Sequence, residues 1–489
     1  MYKSIYKSII KDAGIVVSAN IGTVLSGIIL LPLFTKFLGA NEYGLYIQVT
    51  VSISLMMSFV TLGLPYTLVR FLSAEEDKKI LRDDVYSSLS LVALSGLFTS
   101  FILILLSNKV SELLFEGRTF LVILLAILFT IEAILWTFVN LFRAFHEIKK
   151  FAIFSLIRTY SELAIIATII LQGYGIIQIF ESLLFFRIVV LMIMFLYTIS
   201  YLGFALPTFS RMEDYLKFSL PTIPGNIATW VTDSSDRYLI GILLGNSFVG
   251  YYNPGYSLGV IISMFMLPIN FVLVSSLAKY YDNNEIELVT NIFKYSIKYF
   301  LMFAVPASFG ISILSLPILK LLTTNEIAQM SYLVTPLIAF SSLIFCVGGG
   351  ILFFSLYLAK KTQIVMFIWI LVSCFNIVLN ILLIPRLGIM GAASATLISQ
   401  AIGLVFGTYF SVRYYKFNID YSSILKIIFS SVIMALAINS PIFNFLNLNN
   451  LEEIVSKILF GILIYILSII SMRIACREEV SFLKSLIHI

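Results

Sequence analysis

Three arginines, Arg158, Arg187 and Arg237, stand inside apolar stretches that are each long enough to cross a bilayer. Arginine stays charged at any physiological pH, and its planar fork of donors matches phosphate oxygens. Three of them turned inward therefore ask for an anion. Carboxylates accompany them: Glu132, Glu162, Glu181, Asp233 and Asp236. Arg158 and Glu162 are four residues apart, as are Asp233 and Arg237, which puts each pair on one helical face. A charge at the bilayer centre costs at least about 2.5–3.5 kcal/mol on insertion scales, so such residues are normally inward, paired and functional. The carboxylates have two open uses, ion or proton coupling and charge pairing with the arginines.

Other chemistries lack their residues. There is no phosphate-binding G-x-x-x-x-G-K-[ST] loop and no zinc spacing. Cys346, Cys374 and Cys476 are far apart and read as small core residues, and two histidines, His146 and His488, are too few for a metal site. The chain is expected to be no enzyme, with no metal and no cofactor.

The elements that position these residues follow from composition. Of 489 residues, 60% are hydrophobic and 12% charged, and the mean hydropathy is +1.01. A soluble chain runs nearer 45–50% apolar and about 25% charged. The apolar residues fall into about fourteen long runs, near 12–36, 44–69, 87–107, 119–142, 151–171, 176–201, 217–244, 250–276, 295–318, 328–355, 362–384, 390–412, 421–441 and 457–473. Each can span a hydrocarbon core roughly 30 Å thick. The fold class expected is an all-α polytopic membrane protein, since a barrel would show short alternating segments. The first run begins near Lys11 without a small-residue cleavage site and is read as a retained span. With the N-terminus placed in the cytoplasm, 23 of the 32 lysines and arginines fall on the inner side and six on the outer. That bias fixes both termini inside. It also absorbs the net charge of +6 as membrane anchoring, against a nucleic-acid partner.

An internal repeat divides the chain. LGANEYGLY (38–46) returns as LGNSFVGYY (244–252) at an offset of 206, and Leu64-Pro65 with Val69 returns as Leu267-Pro268 with Val272. The offset spans six helices, an even number, so the halves share one topology, as in transporters built of two bundles about an axis along the membrane normal. The expected organisation is an N-terminal six-helix lobe (1–203), a cytoplasmic linker (204–216), a second six-helix lobe (217–413), and two additional helices with a tail (414–489). Pro221 and Pro224 are expected to break or bend the seventh span, and Gly241–Gly245 and Gly403–Gly407 to mark close helix contacts.

The segments LPLFTKFLGANEYGLY (31–46), FRAFHEIKKF (142–151), SSDRYLIGILLG (234–245) and IPRLGIMGAASAT (384–396) resemble the Wzx-type polysaccharide flippases of the multidrug/oligosaccharidyl-lipid/polysaccharide superfamily. The resemblance covers essentially the whole chain. It implies two pseudo-symmetric lobes around a central cationic cavity, with two extra C-terminal helices. It also implies that an undecaprenyl-diphosphate-linked oligosaccharide is flipped across the cytoplasmic membrane by alternating access. The product would feed O-antigen, capsule or exopolysaccharide assembly, with a polysaccharide polymerase as a possible partner and H+ or Na+ as possible coupling ions. The Asp236-Arg237-Tyr238 segment, Arg70 and Lys36 carry over as motif positions. On this reading Arg158, Arg187 and Arg237 cradle the diphosphate, Arg70 and Lys36 help bind the headgroup, and the tail stays in lipid. With the cell interior negative by about 100 mV, each negative charge carried outward gains roughly 2.3 kcal/mol. The nearest rival is a cation-coupled multidrug exporter of the same superfamily, but the first span has only Asp12 at its mouth and three arginines oppose a cationic drug. A membrane enzyme such as a polymerase would need a catalytic outer loop, and the connector at 442–456 has two carboxylates, no histidine and no arginine.

Overall fold

In a bilayer each backbone N–H and C=O must be satisfied within its own segment, so long apolar runs close into helices. The computed structural model describes residues 2–474 apart from 284, 416, 418, 442 and 444–449. Lys416, Arg477, Lys484, Cys476, His488 and residues 442 and 444–449 of the 442–456 connector lie outside the described residues. The first half runs α1 (Tyr2–Leu33), a π turn (Phe34–Leu38), α2 (Gly39–Val60), α3 (Leu64–Leu72), α4 (Lys78–Leu105), α5 (Ser107–Leu114), α6 (Thr119–Ala144), α7 (Ile148–Leu171) and α8 (Ile176–Leu202). Then come α9 (Met212–Ser219), α10 (Ile223–Leu244), α11 (Asn246–Val260), α12 (Met266–Asp282), α13 (Ile286–Leu322), α14 (Asn325–Ser331), α15 (Val334–Phe345) and α16 (Phe353–Leu358). The last are α17 (Thr362–Leu387), α18 (Ile389–Tyr414), α19 (Tyr421–Ile438) and α20 (Asn450–Ser471). No strand occurs among the described residues.

Eleven of the described helical runs are long and apolar enough to cross a membrane. The first, Ser18–Val60, is 43 residues long and overlaps two of the expected spans, 12–36 and 44–69. Each of the fourteen expected spans falls on helix, but those at 217–244 and 250–276 are not among the eleven. The physical reason is local: α10 carries Asp233, Asp236 and Arg237, while α11 and α12 are 15 and 17 residues long and separated by a 3-10 turn, Ile261–Phe265. A second 3-10 turn, Leu220–Thr222, separates α9 from α10 between Pro221 and Pro224, where the expected break falls.

The chain forms two compact units, Gly14–Gly250, and Tyr251–Ile489 with the first thirteen residues. In the first, α6 is the hub, packed by α2, α3, α4 and α8 through Leu128, Phe129, Ala133 and Leu135. The unit extends past the 204–216 linker because α10 packs on α2. Gln48 Nε2 donates to the Arg237 carbonyl at 2.9 Å, and the Trp230 indole donates to Val51 O at 3.2 Å. In the second unit α13 carries a core of Phe293, Ile297 and Phe300, and α19 and α20 rest on it. There α17 and α18 pack closely: a Cβ on Gly403 would stand 2.8 Å from Val372, and one on Gly407 would stand 2.5 Å from Phe353 of α16.

The repeat is visible as a reciprocal contact. A Cβ on Gly44 would fall 1.9 Å from the Asn246 carbonyl oxygen, and one on Gly250 would fall 1.9 Å from that of Ala40. The offset of 206 relates Gly44 to Gly250 and Ala40 to Asn246, so each copy presents a glycine to the same backbone position of the other. Ser247 Oγ donates to Asn41 Oδ1 at 3.1 Å, again between equivalent positions. Self-complementary pairing of this kind is what a two-fold relation requires.

Candidate functional site

Near the middles of α6, α7 and α8 the first unit assembles a four-residue ionic network. Arg158 donates through Nη2 to Glu132 Oε2 at 2.5 Å and through Nε to Glu162 Oε1 at 3.1 Å. Arg187 takes Glu162 in a fork, with Nε and Nη2 each 3.1 Å from a separate oxygen, and its Nη1 lies 3.4 Å from Glu132 Oε2. The four side chains are 12–19% exposed. The i, i+4 spacing supplies the Arg158–Glu162 edge, while α6 and α8 each contribute one further charge. Two guanidinium groups and two carboxylates close to a formal charge of zero. Tyr46 of α2 stands beside the network, stacked on Phe180 of α8 at 5.6 Å between ring centroids.

A second polar cluster lies on α10. Arg237 is buried, its Nη1 pairs with Asp236 Oδ1 at 3.0 Å, and the same nitrogen donates to the Asp233 carbonyl one turn back. Asp233 itself is exposed. Tyr238 bonds Ser52 of α2 at 2.6 Å. Gly241 leaves room for Gln48, whose Nε2 would lie 2.0 Å from a Cβ there. Arg237 is thus tied into the α2–α10 packing, and no described ion pair joins it to the network around Arg158 and Arg187.

The remaining expected residues are dispersed. Arg70, in the last turn of α3, is exposed with its guanidinium 4.4 Å from the centre of the Phe218 ring. Lys36 is exposed in the π turn. Glu181, five residues into α8, is also exposed and edges a cleft lined by Ile165, Phe185 and Val189.

Sequence reasoning missed a clasp on the α8–α9 connector. Asp83 of α4 accepts hydrogen bonds from Thr208 N at 2.7 Å, Thr208 Oγ1 at 2.6 Å and Ser210 Oγ at 2.8 Å. Its neighbour Asp84 is fully buried, accepting from Tyr215 Oη at 2.8 Å with Arg211 Nη1 at 3.2 Å. Arg211 also reaches Glu75 at 2.8 Å, and that hydrogen bond holds the Glu75 carboxyl below its ordinary range. The available signal was two adjacent aspartates at the start of an apolar helix, a position otherwise filled by anchoring charge.

The helical architecture is the fold of solved transporters of the multidrug/oligosaccharidyl-lipid/polysaccharide superfamily. A lipid II flippase, MurJ, in its inward closed conformation superposes with a TM-score of 0.77, 19% identical, covering 93% of this chain and 98% of that one. An inward-facing multidrug resistance transporter of the same superfamily gives 0.66 at 13% identity, covering 80% and 95%. The family model for polysaccharide biosynthesis proteins matches residues 9–280, and the chain belongs to that family. It is 25% identical over 265 residues to a probable low-salt glycan biosynthesis flippase, Agl15, of Haloferax volcanii, a match covering 53% of this chain and about half, 54%, of that relative.

Proposed function

We propose that this multi-pass membrane protein flips a polyprenyl-diphosphate-linked oligosaccharide across the cytoplasmic membrane by alternating access, with both termini inside. The observation that carries the reading is the pair of arginines, Arg158 and Arg187, held together near mid-helix. Guanidinium groups at that depth suit a diphosphate and disfavour a cationic drug. Membership of the polysaccharide biosynthesis family and the likeness to two proteins named as flippases support it. The two six-helix lobes, 1–203 and 217–413, would rock to alternate access. Arg237 is the third cation of the cradle and must loosen its hold on Asp236 to serve. Arg70 and Lys36, both exposed, would meet the headgroup on its way in or out.

The tail also has a candidate berth. In the second unit α13, α19 and α20 border a cavity of about 590 Å³ lined by Phe303, Ile311, Leu314, Met434, Ile462 and Ile466. Its walls are almost wholly apolar, which suits a prenyl chain and not a sugar.

The test neutralises the whole network. Removing one partner of a buried pair strands the other, whereas replacing all partners leaves no orphaned charge. With Glu132→Gln, Glu162→Gln, Arg158→Gln and Arg187→Gln combined, the protein should reach the membrane at normal levels and export no glycan. Normal export would show that the charges only locate helices and would overturn the cradle.

A further inference from the structure

We infer that the Glu132–Arg158–Glu162–Arg187 network binds its anion together with protons, an inference resting on the diphosphate reading above. The guanidinium donors are already engaged: Arg187 spends Nε and Nη2 on Glu162, and Arg158 spends Nε on Glu162 and Nη2 on Glu132. As it stands the network has no net positive charge with which to draw an anion. An arriving diphosphate, with about two negative charges, would meet two carboxylates as near to the arginines as it can come. Like charges at such separations repel strongly in a low-dielectric setting. A carboxylate must therefore leave or lose its charge.

Leaving is obstructed by geometry. Glu132 points from the middle of α6, between Ile131 and Ala133, both at most 8% exposed, and its own side chain is 14% exposed. Glu162 is clasped from both sides, by Arg158 of its own helix and by the fork of Arg187. Losing charge requires no movement. A protonated carboxyl releases its arginine and gains an O–H that can donate to a phosphate oxygen. One proton on each glutamate turns a neutral site into one of charge +2, matching the ligand. The other charged or titratable groups facing the two glutamates from the packed helices are Arg158 on α7, Arg187 on α8 and the Tyr46 phenol on α2. The arginines stay charged at any physiological pH, so the glutamate carboxylates are the groups here whose charge a proton can remove.

Linkage fixes the sign. If the anion favours protonated glutamates, protons favour the bound anion by the same factor. Protons and headgroup are co-bound, not exchanged, and the loaded site crosses with little net charge.

Calorimetry on the purified full-length protein tests this, with a short-chain prenyl diphosphate N-acetylglucosamine as the probe. Its diphosphate is esterified at both ends, so its own charge is constant between pH 5.5 and 8.5. In two buffers of different ionisation heat, the binding enthalpies should differ by an uptake of one to two protons. Affinity should rise about tenfold per pH unit for each proton as the pH falls. The Glu132→Gln, Glu162→Gln variant should bind as tightly at pH 8 as the wild type does at pH 6, with a flat profile. Should that variant fail to fold, the wild-type proton count decides alone. Binding with buffer-independent heat and flat affinity overturns the inference while leaving the diphosphate reading intact. Absence of binding at every pH overturns both.

Discussion

Gly44→Ala places one carbon where the structure has no room. The added Cβ would stand 1.9 Å from the Asn246 carbonyl oxygen and 3.1 Å from Gly250 N. Ordinary van der Waals contact begins near 3.4 Å, so α2 and the start of α11 must separate by 1.5 Å, the difference of the two distances. Both obstructing atoms are backbone, and no rotamer change relieves the clash. Overpacking of this kind costs about 1–3 kcal/mol. The cost falls only on arrangements in which this contact is closed, so the closed population should drop about 5- to 150-fold relative to others. The readout is a disulfide between Asn41→Cys and Ser247→Cys, whose native side-chain oxygens lie 3.1 Å apart, in a background with Cys346, Cys374 and Cys476 replaced. Oxidation should be fast with Gly44 present and slowed by that factor once the glycine is replaced. Gly250→Ala should slow it equally, because its Cβ would meet Ala40 at the same 1.9 Å. The double variant should fall short of the summed effects, since one separation relieves both clashes. Undiminished crosslinking in Gly44→Ala would refute the reciprocal contact and the two-fold relation drawn from it.

Cysteines placed at Gly117 and Thr324 should react with an impermeant reagent added outside, and those at Asp77 and Lys149 should not; one reversed position undoes the orientation. Tyr215→Phe removes the hydroxyl that Asp84 accepts at 2.8 Å, and the buried carboxylate's other oxygen already has no hydrogen-bond partner among the described residues. A loss of about 1.5–3 kcal/mol is expected, read as earlier thermal unfolding with the Arg211–Glu75 pair left in place. Glu75, held below its ordinary 4.5 by Arg211, contributes to the clasp above that value and ceases to as pH falls through the lowered one. Proteolysis of the 203–211 connector should accordingly rise below about pH 4.5 in the wild type, and in Glu75→Gln be higher at neutral pH with a smaller rise on acidification, the remainder belonging to Asp83.

Membrane class was legible because chain length and hydropathy leave an apolar run of this size few other fates. Each of the fourteen expected spans meets helix, while eleven described helical runs are long and apolar enough to cross a membrane, and the pattern could not rank them. The one at 217–244 carries Asp233, Asp236 and Arg237 on α10, and the one at 250–276 is divided by a 3-10 turn into helices of 15 and 17 residues, so neither is among the eleven. The offset of 206 named both partners of the Gly44–Gly250 contact without disclosing that they touch. Helical spacing paired Arg158 with Glu162 but was silent on Glu132 and Arg187, which arrive from other helices. For Arg237 the same spacing pointed to Asp233. The structure adds the adjacent Asp236 side chain and the backbone carbonyl of Asp233, since a neighbour's carboxyl also reaches a guanidinium folded back along the helix.

The closed network resolves a difficulty that the sequence posed. Arg158 and Arg187, left bare near mid-bilayer, would be costly to insert and would hold any anion that reached them, including inorganic phosphate. Glutamates four residues away on the same helix and on neighbouring helices remove the insertion cost, because neutral pairs are what the bilayer admits. The same pairing sets a threshold for binding: a ligand must outcompete a fork of two 3.1 Å hydrogen bonds from Arg187 before it gains that arginine. A small phosphate brings only its charge to that contest. A diphosphate whose sugars and prenyl chain are bound elsewhere brings binding energy from remote contacts, which can be spent on freeing an arginine from its carboxylate. Selectivity for the lipid-linked headgroup can thus arise at arginines that make no contact with the sugar.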